Sequence, residues 1–326
     1  VQKILLNLSL ILIGMVAVLA LVTQAGVVVL ERMYPAHSLF VDVAGGRIHF
    51  EDIGPRDAAG PPIVLIHGAT SSLETMRLPL GNMLAKNHRV ILIDRPGHGW
   101  STRDDLNNSS PAIQARMIDE ALGKIGIDHA ILVVHSLAGA LGALMALDYP
   151  QRVAGLVELA GVTYPWPGGV GAYNDMVTTP VIGPLLAYTI TLPLGYFLAE
   201  PGARSVFLPQ AMPQGYVQQT ATPLVLRPRA FLANAWDLVT LKAAVTEQVP
   251  RYGDIKVPTV AIAGDADTTV SPDIHSRRFA ATVPHAKLII LPGVGHMVQN
   301  AAPDLVVSEI ERMIAGFDTK PKAAMR

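Results

Sequence analysis

The chain has 326 residues, a formal net charge of -1 and no cysteine. Near-neutral charge offers no footprint for nucleic acid, and the absence of thiols removes disulfides, thiolate nucleophiles and cysteine metal sites together. Charged residues make up only 16% and hydrophobic ones 50%, against roughly 25% charged in an average soluble domain. Such a chain carries a membrane segment or buries an unusually apolar surface.

The N-terminus supplies the segment. No charged residue lies between Ile4 and Leu30, and as a helix this run is about 40 Å long, enough to cross a hydrocarbon core of ~30 Å with some tilt. Residues 1–35 are therefore expected to form a single-pass membrane anchor. The alternative is a signal peptide cleaved near Thr23-Gln24-Ala25, which would release a secreted protein. The apolar run exceeds the ~7–15 residues of a usual signal core. Lys3 on one side and Arg32 with Arg47 on the other balance too closely for the positive-inside rule to choose a side.

Leu39–Val43 and Arg47–Glu51, flanking Ala44-Gly45-Gly46, read as a β-hairpin. Beyond it, short apolar strands alternate with helical stretches. Strands are expected at 63–66, 90–93, 130–134, 153–159, 259–263 and 288–291, and helices at 73–86, 110–125, 137–147, 272–282 and 303–315. Continuous apolar strands alternating with helices imply an α/β fold, a doubly wound and mainly parallel sheet covered on both faces. The alternation breaks over 162–247, where prolines are frequent and Asp175 is the one charge between Gly161 and Glu200. Val177–Ala199 is apolar enough to suggest a second span, but Pro180, Pro184 and Pro193 argue for short broken helices. The reading is an inserted helical cap at 162–247 between two parts of one core, 36–161 and 248–318, followed by a short basic tail, 319–326, expected to fray.

The chemistry concentrates at three strand ends. The apolar run Ala130–Val134 stops at His135-Ser136, and small residues Ala138 and Gly139 open a helix. A serine at a sharp strand-to-helix turn projects its hydroxyl and leaves neighbouring N–H groups free, the nucleophile elbow of serine hydrolases. A hydroxyl needs an imidazole to take its proton, and the imidazole an acid to fix its tautomer. Asp267 follows the strand at 259–263 and His296 the strand at 288–291, at the carboxyl edge where open α/β sheets gather their functional groups. Taken singly, Ser136 reads as a helix cap, Asp267 as a turn residue and His296 as a surface side chain. Their agreement in order and placement points to a catalytic triad of Ser136, Asp267 and His296. Asp265 and Glu158 are fallback acids. The oxyanion donors are expected at the backbone N–H of Leu137 and, from the loop 67–72, of Ala69.

These residues carry a family resemblance. His67-Gly68, Asp94-Arg95-Pro96-Gly97-His98-Gly99-Trp100-Ser101, His135-Ser136-Leu137-Ala138-Gly139, Gly264–Asp267 and Gly295-His296 together resemble the α/β-hydrolase superfamily, in its capped esterase, lipase and epoxide-hydrolase-like branch. The resemblance implies a scaffold role for Asp94 and His98, and serine instead of aspartate at the nucleophile argues against epoxide-hydrolase and dehalogenase chemistry. It implies acyl transfer on a carboxylic ester, and the apolar cap with its anchor suggests lipophilic, monoacylglycerol-like or medium-chain substrates. Carbon–carbon bond hydrolysis and cofactor-free perhydrolysis use the same triad, and a non-catalytic binding protein is the alternative of a different class. No metal or organic cofactor is implied. One departure stands out: Val134 and Ala138 occupy positions two before and two after the serine, the first usually glycine, which suggests that the following helix sits slightly farther from the strand.

Overall fold

The computed structural model describes residues 1–37 and 39–318; the tail 319–326 lies outside the described residues. Nine strands form one sheet: β1 (Leu39–Val43), β2 (Gly46–Ile53), β3 (Ile63–Ile66), β4 (Val90–Ile93), β5 (Thr102–Arg103), β6 (Ala130–His135), β7 (Val153–Leu159), β8 (Thr259–Gly264) and β9 (Lys287–Leu291). Their order is β1-β2-β4-β3-β6-β7-β8-β9, with the two-residue β5 added beside β2. The hairpin and its partners β4 and β5 pair antiparallel, and every pairing from β4 to β9 is parallel. This is the α/β-hydrolase fold with its inserted cap.

Side-chain alternation gives the sheet two buried faces. Val64, Ile66, Leu132 and Val134 pack with Met117, Ile118 and Leu141 from the helices Pro111–Lys124 and Ala138–Asp148. Ile63, Leu65, Ile131 and Val133 face Leu80, Leu84, Val306 and Ile310 on the other side. Chain order reverses at β3, which has β4 on one side and β6 on the other. Ile66 and Val134 are in register, so the loops that leave β3 and β6 start side by side. That crevice is where a doubly wound sheet receives ligands.

Two expected helices differ. The stretch 73–86 is not one α-helix but a short α-turn, a π-turn at Arg77–Gly81 and a second α-turn. Pro79 inside it has no N–H to donate and its ring crowds the preceding turn, so the ladder widens there. The helix expected from Pro272 begins at Ser276.

Between β7 and β8 the cap consists of helices Ala172–Val177, Ile182–Thr189, Thr191–Phe207, Tyr216–Gln219 and Pro228–Gln248 with a 3-10 turn at Thr222–Leu226. The second and third meet at a 72° bend around Ile190. Pro193 falls in the first turn, where its missing N–H has no partner to lose. The break expected within Val177–Ala199 thus falls at Ile190, and the helix that follows continues through Pro201.

Among the described residues one helix, Gln2–Met33, is long and apolar enough by itself to cross a membrane, and the bent pair Ile182–Thr189 and Thr191–Phe207 reaches that length only when taken together. The second half of Gln2–Met33 lies along the cap. Thr23 donates its hydroxyl to the Thr189 carbonyl (2.8 Å), and Leu30 packs with Leu192, Leu224 and Val225. Arg227 pairs with Glu31 at 3.1 Å.

The expected displacement of the helix after the serine is compensated within the helix itself. A Cβ on Gly142 would lie 2.9 Å from Val134 Cγ2 and 3.0 Å from Leu156 Cδ1. The glycine missing from the strand is thus found one turn into the helix, and Val134 fills the space it leaves. Gly142→Ala should therefore destabilise the fold by about 1–3 kcal/mol through overpacking against a stiff β-branched side chain, although alanine favours helix. Val134→Ala in the same chain should relieve most of that loss, as read by a denaturant double-mutant cycle.

Candidate active site

β6 ends in a backbone that only a well-held residue adopts. Ser136 has φ +56°, a left-handed conformation that strains a non-glycine residue by roughly 1–2 kcal/mol. Three backbone bonds hold it: its N–H donates to the Leu159 carbonyl (3.0 Å), and its carbonyl accepts from Gly139 and Val162 (2.9 Å each). The turn leaves no room nearby. A Cβ on Gly68 would stand 2.8 Å from Ser136 Cβ, and one on Gly139 would stand 2.7 Å from Gly161 Cα.

The hydroxyl does not cap the helix. Ser136 Oγ lies 3.0 Å from His296 Nε2, and His296 Nδ1 lies 2.8 Å from Asp267 Oδ2. The second Asp267 oxygen, Oδ1, accepts the N–H groups of Thr269 (2.7 Å) and Val270 (2.9 Å). Two backbone donors fix the direction of the carboxylate, and its hydrogen bond sets Nδ1 as the protonated nitrogen and Nε2 as the acceptor facing the serine. The arrangement can draw the serine proton onto the imidazole.

The two fallback acids are elsewhere. Asp265 Oδ1 accepts the Gly293 N–H at 2.6 Å and serves its turn. Glu158 is 2% exposed and lies beneath the elbow against Gly139 and Gly161. Neither of its oxygens has a partner among the described residues, and burial pushes its carboxyl well above the ordinary carboxylate range. His135 stacks beside His296 with ring centres 4.8 Å apart. Burial, with repulsion from His296, holds its imidazole down to about 3, so it stays neutral and does not compete for the proton.

The loop after β3 is locked from behind. The Gly68 carbonyl accepts from Arg95 Nη2 (3.1 Å) and Ser71 Oγ (3.1 Å), and faces His67 Nδ1 at 2.8 Å. Because a trans peptide directs its N–H opposite to its carbonyl, this anchoring aims the Ala69 N–H away from Arg95. Thr70 N–H donates to Asn234 Oδ1 at 2.7 Å, tying the next residue to the cap helix Pro228–Gln248. No such backbone bond is made by the N–H groups of Ala69 or Leu137 among the described residues. Asp94, His98 and His67 serve this scaffold: Asp94 accepts from the N–H groups of Leu73 and Trp100 and pairs with His49, while His98 lies against Arg95.

Arg95 and Asp237 are the residues sequence reasoning missed. Asp237 bridges Arg95 (2.7 Å) and Arg103 (2.6 Å), and all three side chains are wholly buried. Arg95 sits inside the Asp94–Ser101 motif, and Asp237 is a lone acid in the apolar stretch Ala230–Leu241; that acid was the available signal.

Ser136 and His296 open onto a cavity of about 690 Å³ walled by Ala69, Leu198, Val206, Val225, Phe231 and Met297, among others. No lysine, arginine, aspartate or glutamate contributes to its wall among the described residues. Nor is any group of three or more potential metal-ligating side chains gathered among them.

With this geometry in view, comparison with known proteins gives the class. The model of the alpha/beta hydrolase family matches residues 63–309, and the chain belongs to that family. It is 26% identical over 295 residues to haloalkane dehalogenase 2 of Mycobacterium tuberculosis (strain ATCC 25618 / H37Rv), covering 86% of this chain and 95% of that one. It is 28% identical over 272 residues to 2-hydroxy-6-oxo-6-phenylhexa-2,4-dienoate hydrolase of Burkholderia cepacia, covering 78% and 86%. Among solved structures, the enol-lactonase of Burkholderia xenovorans LB400 superposes with a TM-score of 0.69 at 19% identity, over 85% of this chain and 100% of that one.

Two expectations follow for the buried charges. Asp237→Asn should destabilise the fold by about 3–5 kcal/mol, because it leaves two buried guanidinium groups without their anion; denaturant titration reads this directly. Glu158 has the opposite character. The native state keeps a proton that the unfolded chain releases above ~4.3, so Glu158 weakens the fold as pH rises beyond that value. Glu158→Gln, neutral at every pH, should melt like the parent near pH 4 and increasingly above it toward pH 8. A difference in Tm that does not change with pH would refute this.

Proposed function

We propose that this protein is a serine hydrolase, held at a membrane by its N-terminal helix, that cleaves neutral lipophilic carboxylic esters through an acyl-enzyme. Ser136 Oγ attacks the carbonyl carbon while His296 Nε2 takes its proton, and Asp267 keeps the imidazole oriented and stabilises its cation. The negative charge on the carbonyl oxygen is received by the N–H groups of Ala69 and Leu137, each such donor being typically worth about 10²–10³ in turnover. Collapse of the tetrahedral adduct expels the alcohol, which takes the proton from His296. Water then repeats the sequence on the acyl-enzyme and releases the acid.

The observation that carries the substrate class is the uncharged cavity ending on Ser136 and His296. The relative from Burkholderia cepacia is named for a dienoate, a carboxylate substrate, and a cavity without a cationic wall is poorly suited to one. Carbon–carbon bond hydrolysis remains the second reading, supported by that relative. Dehalogenation is disfavoured by the nucleophile. Displacing a halide with a serine hydroxyl would leave an ether, which has no carbonyl for water to attack. The retained anchor is supported by the helix's fit to the cap at Thr23, Leu30 and Glu31, contacts that cleavage near residue 25 would divide.

A fluorophosphonate probe should label the purified chain and fail to label Ser136→Ala, whose turnover should fall by at least about 10⁴-fold. In a series of p-nitrophenyl esters, kcat/KM should rise about fourfold per added CH₂ from acetate until the cavity is filled, following ~0.8 kcal/mol per buried methylene. A series in which acetate outruns every longer chain would overturn the lipophilic assignment.

A further inference from the structure

The anchor and the cap share their apolar surfaces in a way that places part of the cap within the bilayer. About 20 helical residues traverse a hydrocarbon core of ~30 Å, and counted from Lys3 that length reaches Thr23. Thr23 is not beyond the protein: its hydroxyl bonds the Thr189 carbonyl inside the cap. Three residues on, a Cβ at Gly26 would come within 2.6 Å of Leu192, the kind of close approach that small residues allow between membrane helices. The protected stripe on the helix begins earlier still, at Val16, and runs through Leu19, Thr23, Gly26 and Leu30. The opposite side stays apolar and open, with Leu21 70% and Val29 54% exposed. Lipid able to surround that side necessarily reaches the cap helices docked on the other.

Those helices are built for it. Val181 and Phe197 are each 78% exposed, and Ile182, Leu185 and Ile190 are also exposed. Along the cap, no charge occurs between Asp175 and Glu200, and the polar end of the helix Thr191–Phe207 is marked by the exposed Glu200–Arg204 pair. In water this surface would be an aggregation liability; continuous with a membrane-crossing helix, it has an occupant. The cavity opens on the same side. Leu194 and Leu198 line it and are at the same time 54% and 56% exposed beside Phe197.

We infer that the helices Ile182–Thr189 and Thr191–Phe207 insert into the bilayer beside the anchor, and that the cavity admits its substrate sideways from the acyl-chain layer past Leu194 and Leu198. The occupant of the face is lipid. The route of entry rests on the ester-hydrolase reading above, while the insertion does not.

The absence of cysteine makes the test direct. Phe197→Cys and Val181→Cys in the full chain, spin-labelled and reconstituted in phosphatidylcholine vesicles, should collide readily with oxygen and poorly with a water-soluble nickel complex. Asp128→Cys on the core surface, where the parent side chain is 95% exposed, should show the reverse. Nickel access at 181 and 197 equal to that at 128 would overturn insertion. Shielding from both reagents would mean that protein covers the face, and would overturn it too. For entry, Val181→Glu with Phe197→Glu should reduce hydrolysis of a long-chain umbelliferyl ester dissolved in the vesicles by at least about tenfold, with p-nitrophenyl acetate turnover in solution unchanged. Equal loss on both substrates would overturn lateral entry. Unaltered activity in Ser136→Ala would defeat the hydrolase reading alone, because the spin-label result stands without turnover.

Discussion

A serine forced to φ +56° between two packed strands needs space on every side, and that requirement governs the surrounding sequence. Gly68 gives way on the β3 side, Gly139 and Gly161 meet beneath the turn, and Gly142 receives the valine that the strand carries. None of the four glycines is needed for its own conformation, since none has a positive φ. They are spacers, and together they let a strained residue stand where β3, β6 and β7 end. His296 and Asp267 then need only the ordinary strand-end loops of a parallel sheet to reach it.

The strands were almost fully legible because buried parallel strands are continuous apolar runs: β3, β4 and β7 coincide with the expected ranges, and β6, β8 and β9 each extend by one residue. The serine, aspartate and histidine were legible for a related reason, since each follows such a run directly. What escaped was whatever depends on distance in sequence. Arg95 and Asp237 are 142 residues apart, and nothing local to either predicts that they meet in a dry interior. β5 is two residues long, with no period to read. Pro79 was visible, but the stretch containing it was read as an unbroken helix. In the cap the break falls at Ile190, while Pro184 and Pro193 each sit in the first turn of a helix, where proline costs no hydrogen bond.

The buried ions are arranged unequally. Asp237 bridges two guanidinium groups that also donate to backbone carbonyls, so its desolvation is offset by several charge-assisted bonds. Glu158 has no such compensation and remains neutral instead. A neutral carboxyl beneath the elbow adds no net charge under Ser136, and the carboxyl paired with His296 is that of Asp267. Dehalogenases and dienoate hydrolases stand among this chain's relatives, so the fold alone does not choose the reaction.

The helix Pro228–Gln248 grips the core through Asn234 and Asp237, one turn apart. Displacing it would expose an ion triad and release the loop that carries Ala69, a heavy penalty for any motion. Among the described residues the helices from Ala172 to Phe207 make no buried ion pair with the core, and the last two of them meet at a sharp bend. The cap therefore has two parts held in different ways: one is pinned to the core by buried charge, and the other rests by apolar packing on the first and on the N-terminal helix. A substrate that reshapes the mouth of the cavity would meet its least resistance in the second part, at no cost to the ion triad.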